Sequence, residues 1–232
     1  TTMIQLTKKE FAAMQDHSIL EPFATKEQIA EMVKQTIEYG FNATYVEPCH
    51  VAYAVKCSAG KAKVGTVIGF PFGTNAKATK IAEGIQCLAD GADALDFVIN
   101  YSMLKSGEVD YVADELNEFV KVLKSKNPKI VIKVIIECCF LTHDEKVKAI
   151  EIVGDSKADF IKTSTGTGSG GCRIGDIRLM RRVLQGKCQI KAAAQITNIE
   201  DALAVIEEGA TLIGENTAVK LLNDWDKERW TK

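Results

Sequence analysis

The chain has 232 residues, with 29 Lys+Arg against 31 Asp+Glu, 46% hydrophobic and 26% charged content, the makeup of a globular protein with a packed core. A formal net charge of −2 leaves no basic excess to neutralise nucleic-acid phosphates or anionic lipid, so the expected partner is a small molecule, with no nucleic acid and no membrane. No stretch reaches the roughly 18 to 20 apolar residues of a membrane span, and the opening TTMIQLTKKEF lacks the pattern of a secretory signal, so a cytoplasmic protein is expected. The seven cysteines are odd in number, scattered and without CxxC spacing, which predicts free, mostly buried thiols rather than disulfides or a zinc ribbon.

Along the chain, β-rich runs alternate with longer helical runs. Thr7 and Glu10 have capping-box spacing, which predicts a short leading helix ahead of a first strand near 16–20. Thr25 with Gln28 repeats the signal before the next helix, and strands follow near 43–46, 64–70 and 94–99. The remaining strands are predicted near 130–136, 158–163, 189–193 and 211–214, with Thr142 and Glu145 capping the helix after the fifth. Gly91 and Gly209 stand where helices end before a strand, a place for a left-handed residue.

Strands separated by helices pair in parallel through right-handed crossovers, and eight such units in this length fit a closed TIM (β/α)8 barrel better than an open doubly wound sheet. With no linker or low-complexity tract, 1–232 reads as a single barrel domain with an extra N-terminal helix. Chemistry in such a barrel sits at the carboxyl ends of the strands.

Three lysines interrupt runs that otherwise read as buried strand: Lys133 in IVIKVIIE, Lys162 in ADFIKTSTG and Lys191 in QIKAAAQ. Each could be paired with a carboxylate, and Asp96 and Glu137 offer partners for a neutralising network in the lumen. The same crowding serves chemistry, because a lysine held near a second cation and away from water becomes a neutral amine that attacks carbonyls. Either Lys162 or Lys191 could be that nucleophile and the other its depressor, with Asp96 moving protons; residue chemistry alone leaves the order open.

Residues 166–171 satisfy GxGxxG after a strand, but they fall in the sixth unit and lack a ribose-binding acid about 20 residues on, so they predict a flexible phosphate- or substrate-facing loop. The three histidines, His17, His50 and His143, show no HxH or HxxxH pairing, and no metal site is expected.

The segments DHSIL at 16–20, GTVIGFPFG at 65–73, DALDFVINYSMLKSG at 93–107, KVIIECCFLT at 133–142, ADFIKTSTG at 158–166 and GATLIG at 209–214 together resemble the deoxyribose-phosphate aldolase family of class I, Schiff-base aldolases. The resemblance covers nearly the whole chain and is most specific at FIKTSTG. It implies a TIM barrel in which Lys162 forms the Schiff base, Lys191 lowers its pKa and Asp96 is the acid/base partner. Asp16, Ser18 and Thr165 fall where the family orients substrate. The implied reaction reversibly cleaves 2-deoxyribose 5-phosphate to acetaldehyde and glyceraldehyde 3-phosphate, without cofactor or metal, in deoxynucleoside breakdown by a cytoplasmic homo-oligomer.

The chain departs from the family at the substrate's far end. The pattern Lys-Ala/Pro-Ser/Ala-Gly-Gly-Ile/Val-Arg becomes Lys191-Ala192-Ala193-Ala194-Gln195-Ile196-Thr197, and Gly-Ala/Thr-Ser becomes Gly214-Glu215-Asn216. Thr167 replaces a lysine or aromatic residue, Tyr45 a common cysteine and Glu21 a frequent lysine. Two readings stay open. Gly166 is expected to bind substrate in either; in one, Gly214 and Thr217 still permit a phosphate site through main chain, and in the other, Gln195, Glu215 and Asn216 form a hydrogen-bonding end for a different acceptor, phosphorylated or not. A contrasting hypothesis is a non-catalytic or nucleotide-binding barrel, against which the buried charges of Lys162, Lys191 and Asp96 count.

Overall fold

The computed structural model describes residues 5–228. Eight strands, β1 (Gln15–Ile19), β2 (Ala43–Val46), β3 (Val64–Ile68), β4 (Ala94–Val98), β5 (Val131–Ile135), β6 (Phe160–Lys162), β7 (Gln189–Ala193) and β8 (Leu212–Glu215), pair in chain order. All pairings are parallel, and β8 returns to β1 to close the barrel. Around it run α1 (Lys8–Ala13), α2 (Lys26–Tyr39), α3 (Val51–Ser58), α4 (Lys77–Ala89), α5 (Tyr101–Lys105), α6 (Val109–Lys126), α7 (His143–Asp155), α8 (Ile174–Leu184), α9 (Ile199–Glu208) and α10 (Ala218–Glu228). The expected TIM barrel with a leading helix is therefore the fold.

The local signals act as their chemistry requires. Thr7, Thr25 and Thr142 each cap a helix in a complete capping box with Glu10, Gln28 and Glu145. Gly91 (φ +101°) and Gly209 (φ +123°) turn the chain out of α4 and α9 in conformations that a Cβ disfavours. The leading helix is held at the barrel's edge by Phe11, which stacks on Trp225 of α10 at 4.6 Å. Strand β6 is shorter than expected, yet Thr163 just beyond it remains tied to β7, its N–H donating to the Lys191 carbonyl at 3.2 Å.

Alternation along the strands separates two interiors. Leu95, Phe97, Ile132, Val134 and Ile161 point outward and are buried against the helices. Their neighbours Asp96, Lys133 and Lys162 point into the lumen, where Ala43, Tyr45 and Ala94 form a separate small cluster. The main core thus lies between sheet and helices, and the lumen is left for charge.

The thiols depart from expectation. All seven cysteines are free, but only Cys87 and Cys138 are buried; Cys57, Cys139, Cys172 and Cys188 are half-buried and Cys49 is exposed. Cys57, Cys172 and Cys188 pack against the margin of the core without entering it, and Cys139 turns its thiol toward Glu137, so burial there is partial.

Candidate active site

Register brings the lumen charges together. Asp96 on β4 is opposite Lys133 on β5, and Lys162 on β6 is opposite Lys191 on β7. Lys191 Nζ donates to Asp96 Oδ2 at 2.9 Å and forms an ion pair with Asp16 Oδ2 at 2.7 Å. Lys162 Nζ reaches the same Asp96 oxygen at 3.1 Å, and Lys133 Nζ donates to Asp16 Oδ2 and to the Tyr45 hydroxyl, both at 2.7 Å. Two carboxylates thus serve three lysines. A buried charge needs a partner, so at most two of the ammoniums are fully neutralised.

Protonation follows from this sharing. Asp16 and Asp96 are held below the usual carboxylate range; burial works against this, but Lys133 and Lys191 at Asp16, and Lys191, Lys162 and Lys133 at Asp96, outweigh it. Lys191 resists burial because Asp16 and Asp96 both favour its charge, and its pKa is raised. Lys162 is pushed down to about 8, first by burial and then by the Lys191 charge. Lys133 is also lowered, by burial and secondarily by Lys191, against the pull of Asp16.

A cavity of about 320 Å³ opens at the carboxyl ends of the strands. Its floor is Tyr45, Lys162 and Lys191, and its walls include Ser18, Thr165, Gly166, Gln195, Gly214, Glu215 and Asn216. The GxGxxG stretch does face this cavity, through Gly166, Thr167, Gly168 and Gly170. Gly214 has a steric duty, because a Cβ there would stand 2.7 Å from Lys191 Cε.

Several expected residues lie elsewhere. Asp16 is fully buried below the cavity, where it binds lysines and the Asn42 carboxamide (2.7 Å) instead of facing a ligand. Thr217 does not line the cavity, and its hydroxyl faces the Ile196 carbonyl at 3.4 Å. Glu137 does not join the lysine network: in a left-handed conformation (φ +52°), it accepts the Thr165 hydroxyl and the Thr165 N–H (3.3 Å). The Thr165 hydroxyl is therefore held by Glu137, at the cavity wall.

Tyr45 is the residue whose place the sequence reading missed. Its ring lies over Lys191 Nζ, 3.9 Å from the centroid, and it fills space that Gly65 of β3 leaves open. The two are direct cross-strand partners, a pairing that a strand alignment of 43–46 with 64–70 could have shown.

A closed parallel barrel with a lysine-floored cavity at the strand ends defines a TIM-barrel enzyme. Comparison with known proteins narrows the class: the chain belongs to the DeoC/LacD family of aldolases, whose model matches residues 9–227. It is 45% identical over 218 residues to a deoxyribose-phosphate aldolase of Caldanaerobacter subterraneus subsp. tengcongensis, covering 94% of each chain. A deoxyribose-phosphate aldolase of Thermococcus gammatolerans is 46% identical over 210 residues, 89% of this chain and 92% of that one. Among solved structures, the aldolase QR15 superposes with a TM-score of 0.87 at 36% identity, covering 94% of this chain and 96% of its own. The tetrameric deoxyribose phosphate aldolase of Aeropyrum pernix gives 0.88 at 27% identity, covering 95% and 92%. The chain is an aldolase, a carbon–carbon lyase.

Proposed function

We propose that the chain is a Schiff-base aldolase that reversibly cleaves 2-deoxyribose 5-phosphate to acetaldehyde and glyceraldehyde 3-phosphate, with Lys162 as nucleophile. One observation carries the assignment: among the described residues, Lys162 is the lysine that both faces the cavity and has its amine pushed down, to about 8. Lys191 faces the cavity but is held charged, and Lys133 is depressed but does not line it. The substrate follows from the relatives, which carry the deoxyribose-phosphate aldolase name.

In cleavage, the neutral Lys162 amine attacks C1 of the open-chain sugar, and water leaves to give an iminium. The C2–C3 bond breaks as the C3 hydroxyl loses its proton, and the electron pair enters the iminium to form an enamine. Asp96, in contact with both Lys162 and Lys191, takes and returns protons. Protonation at C2 and hydrolysis release acetaldehyde and restore the amine. The Lys191 charge, second to burial, lowers the Lys162 pKa and so enlarges the fraction present as free amine, and the iminium, once formed, is balanced by Asp96.

The same reading includes a cytoplasmic role in deoxynucleoside breakdown and a homo-oligomeric state, the latter supported by the tetrameric relative. No described helix is long and apolar enough to cross a membrane.

Borohydride reduction in the presence of acetaldehyde tests the nucleophile. An adduct found by mass spectrometry on Lys162 is expected. A stable adduct on Lys191 with Lys162 untouched would reverse the assignment, and NADH binding without any adduct would favour a nucleotide-binding barrel instead.

A further inference from the structure

The loop after β7 takes an unusual path. Ala194 (φ +72°) and Gln195 (φ +65°) are consecutive non-glycine residues in the left-handed region, which disfavours any residue with a Cβ. The turn is clamped from behind. Cys172 N–H donates to the Ala194 carbonyl at 3.0 Å, and the chain approaches so closely at Gly171 that a Cβ there would lie 2.5 Å from that oxygen.

Turns of this kind present successive main-chain N–H groups and make concave sites for anions. Here the anion belongs to the chain itself. Glu215, at the end of β8 and on the cavity wall, accepts the Ile196 N–H at 2.9 Å through Oε1. Its carboxylate is buried and does not point away from the cavity; burial raises its pKa, while the Ile196 amide, Lys162 and the Ala194 amide favour its charge.

The rest of the wall agrees with that polarity. A second carboxylate, Glu21, lines the cavity, no arginine does among the described residues, and the two lysines on it are both bound to Asp96. A phosphate dianion at this end would meet carboxylates without a free cationic partner. The carboxamides of Gln195 and Asn216 and the hydroxyls of Ser18 and Thr167 offer donors and acceptors suited to alcohol groups.

We infer that Glu215 occupies, as a built-in anion, the main-chain site a substrate phosphate would take, and that the acceptor end is shaped for the uncharged, hydroxylated tail of an aldehyde. The inference rests on the Schiff-base reading above and leaves 2-deoxyribose 5-phosphate a substrate, but one whose phosphate contributes little to its cleavage. In the synthetic direction, the enamine carbon on Lys162 forms the new bond to the acceptor's carbonyl carbon. The acceptor oxygen takes a proton, and water then releases the product from the lysine. Nothing in these steps requires a phosphate.

The test is the ratio of kcat/KM for cleavage of 2-deoxyribose 5-phosphate to that for 2-deoxyribose, measured on the intact protein. A ratio below about tenfold is expected. Glu215→Gln removes the charge yet keeps an oxygen for the Ile196 N–H, and should raise the ratio severalfold. Gln195→Gly, which relieves a left-handed side chain and so retains the fold, should raise it as well. A ratio above about a hundredfold in the unmodified protein overturns the inference. So does a small ratio that neither variant moves, because Glu215 would then not set it. Acetaldehyde trapping on Lys162 separates the failures: an adduct together with a large ratio removes this inference alone, whereas the absence of an adduct removes the underlying reading.

Discussion

Lys191 is paired with two carboxylates and shares one of them with a second amine, and this position sets its influence. Because Asp16 and Asp96 keep it charged, its field falls on Lys162, which shares Asp96 and has no carboxylate of its own. In Lys191→Met, Lys162 loses the neighbouring charge and its competitor for the Asp96 oxygen, so the Lys162 pKa rises from about 8. The free amine is the reactive form, so the rising limb of the kcat/KM pH profile should move to higher pH. Each unit of upward shift should cost about tenfold in kcat/KM near neutrality. An unmoved limb would leave Lys191 a role in binding only. The lysines and Asp96 were legible in the sequence because charge inside apolar strand runs stands out. Their division of labour was not, because it depends on depth: Lys133 and Lys162 read alike in sequence, yet only Lys162 reaches the cavity. Asp16 shows the same dependence, since it lies below the cavity and meets it through Lys191, which it binds.

Between elements, the capping boxes announced where helices begin, since Thr and Glu or Gln at that spacing satisfy each other's backbone donors. The contact that joins α4 to α6 gave no such sign. Lys80 sits on a helix, where a lysine ordinarily faces water, but it is fully buried, donating to Glu115 at 2.7 Å and to the Val98 carbonyl at 3.0 Å. The helices approach because Gly84 yields to Phe119: a Cβ at Gly84 would lie 2.7 Å from that ring. Lys80→Ala strands the Glu115 carboxylate and should cost about 3–5 kcal/mol of stability in urea unfolding. Replacing the pair together, Lys80→Met with Glu115→Leu, should recover most of the loss, because the isolated charge and not the missing attraction sets the penalty. A double variant as unstable as Lys80→Ala would show that the Val98 carbonyl is the main partner.

For the molecule as a whole, period and order were enough to predict the closed barrel, because eight β/α units allow few parallel arrangements. Filling the lumen was less legible, since that depends on which side chains meet across strands. Tyr45 and Gly65 illustrate it: they are register partners, and a Cβ on Gly65 would lie 2.3 Å from Tyr45 Cζ. The aromatic ring therefore exists in this barrel only on condition that its neighbour has no side chain. That condition gives sequence change a direction. A smaller residue at 45 can be accepted while 65 remains glycine, but any side chain at 65 must wait until 45 has shrunk. A mutant library varied at position 65 alone should yield folded protein almost only with glycine, whereas one varied at 45 and 65 together should yield many folded combinations. The cavity floor of this aldolase can be redesigned two residues at a time, and in one order.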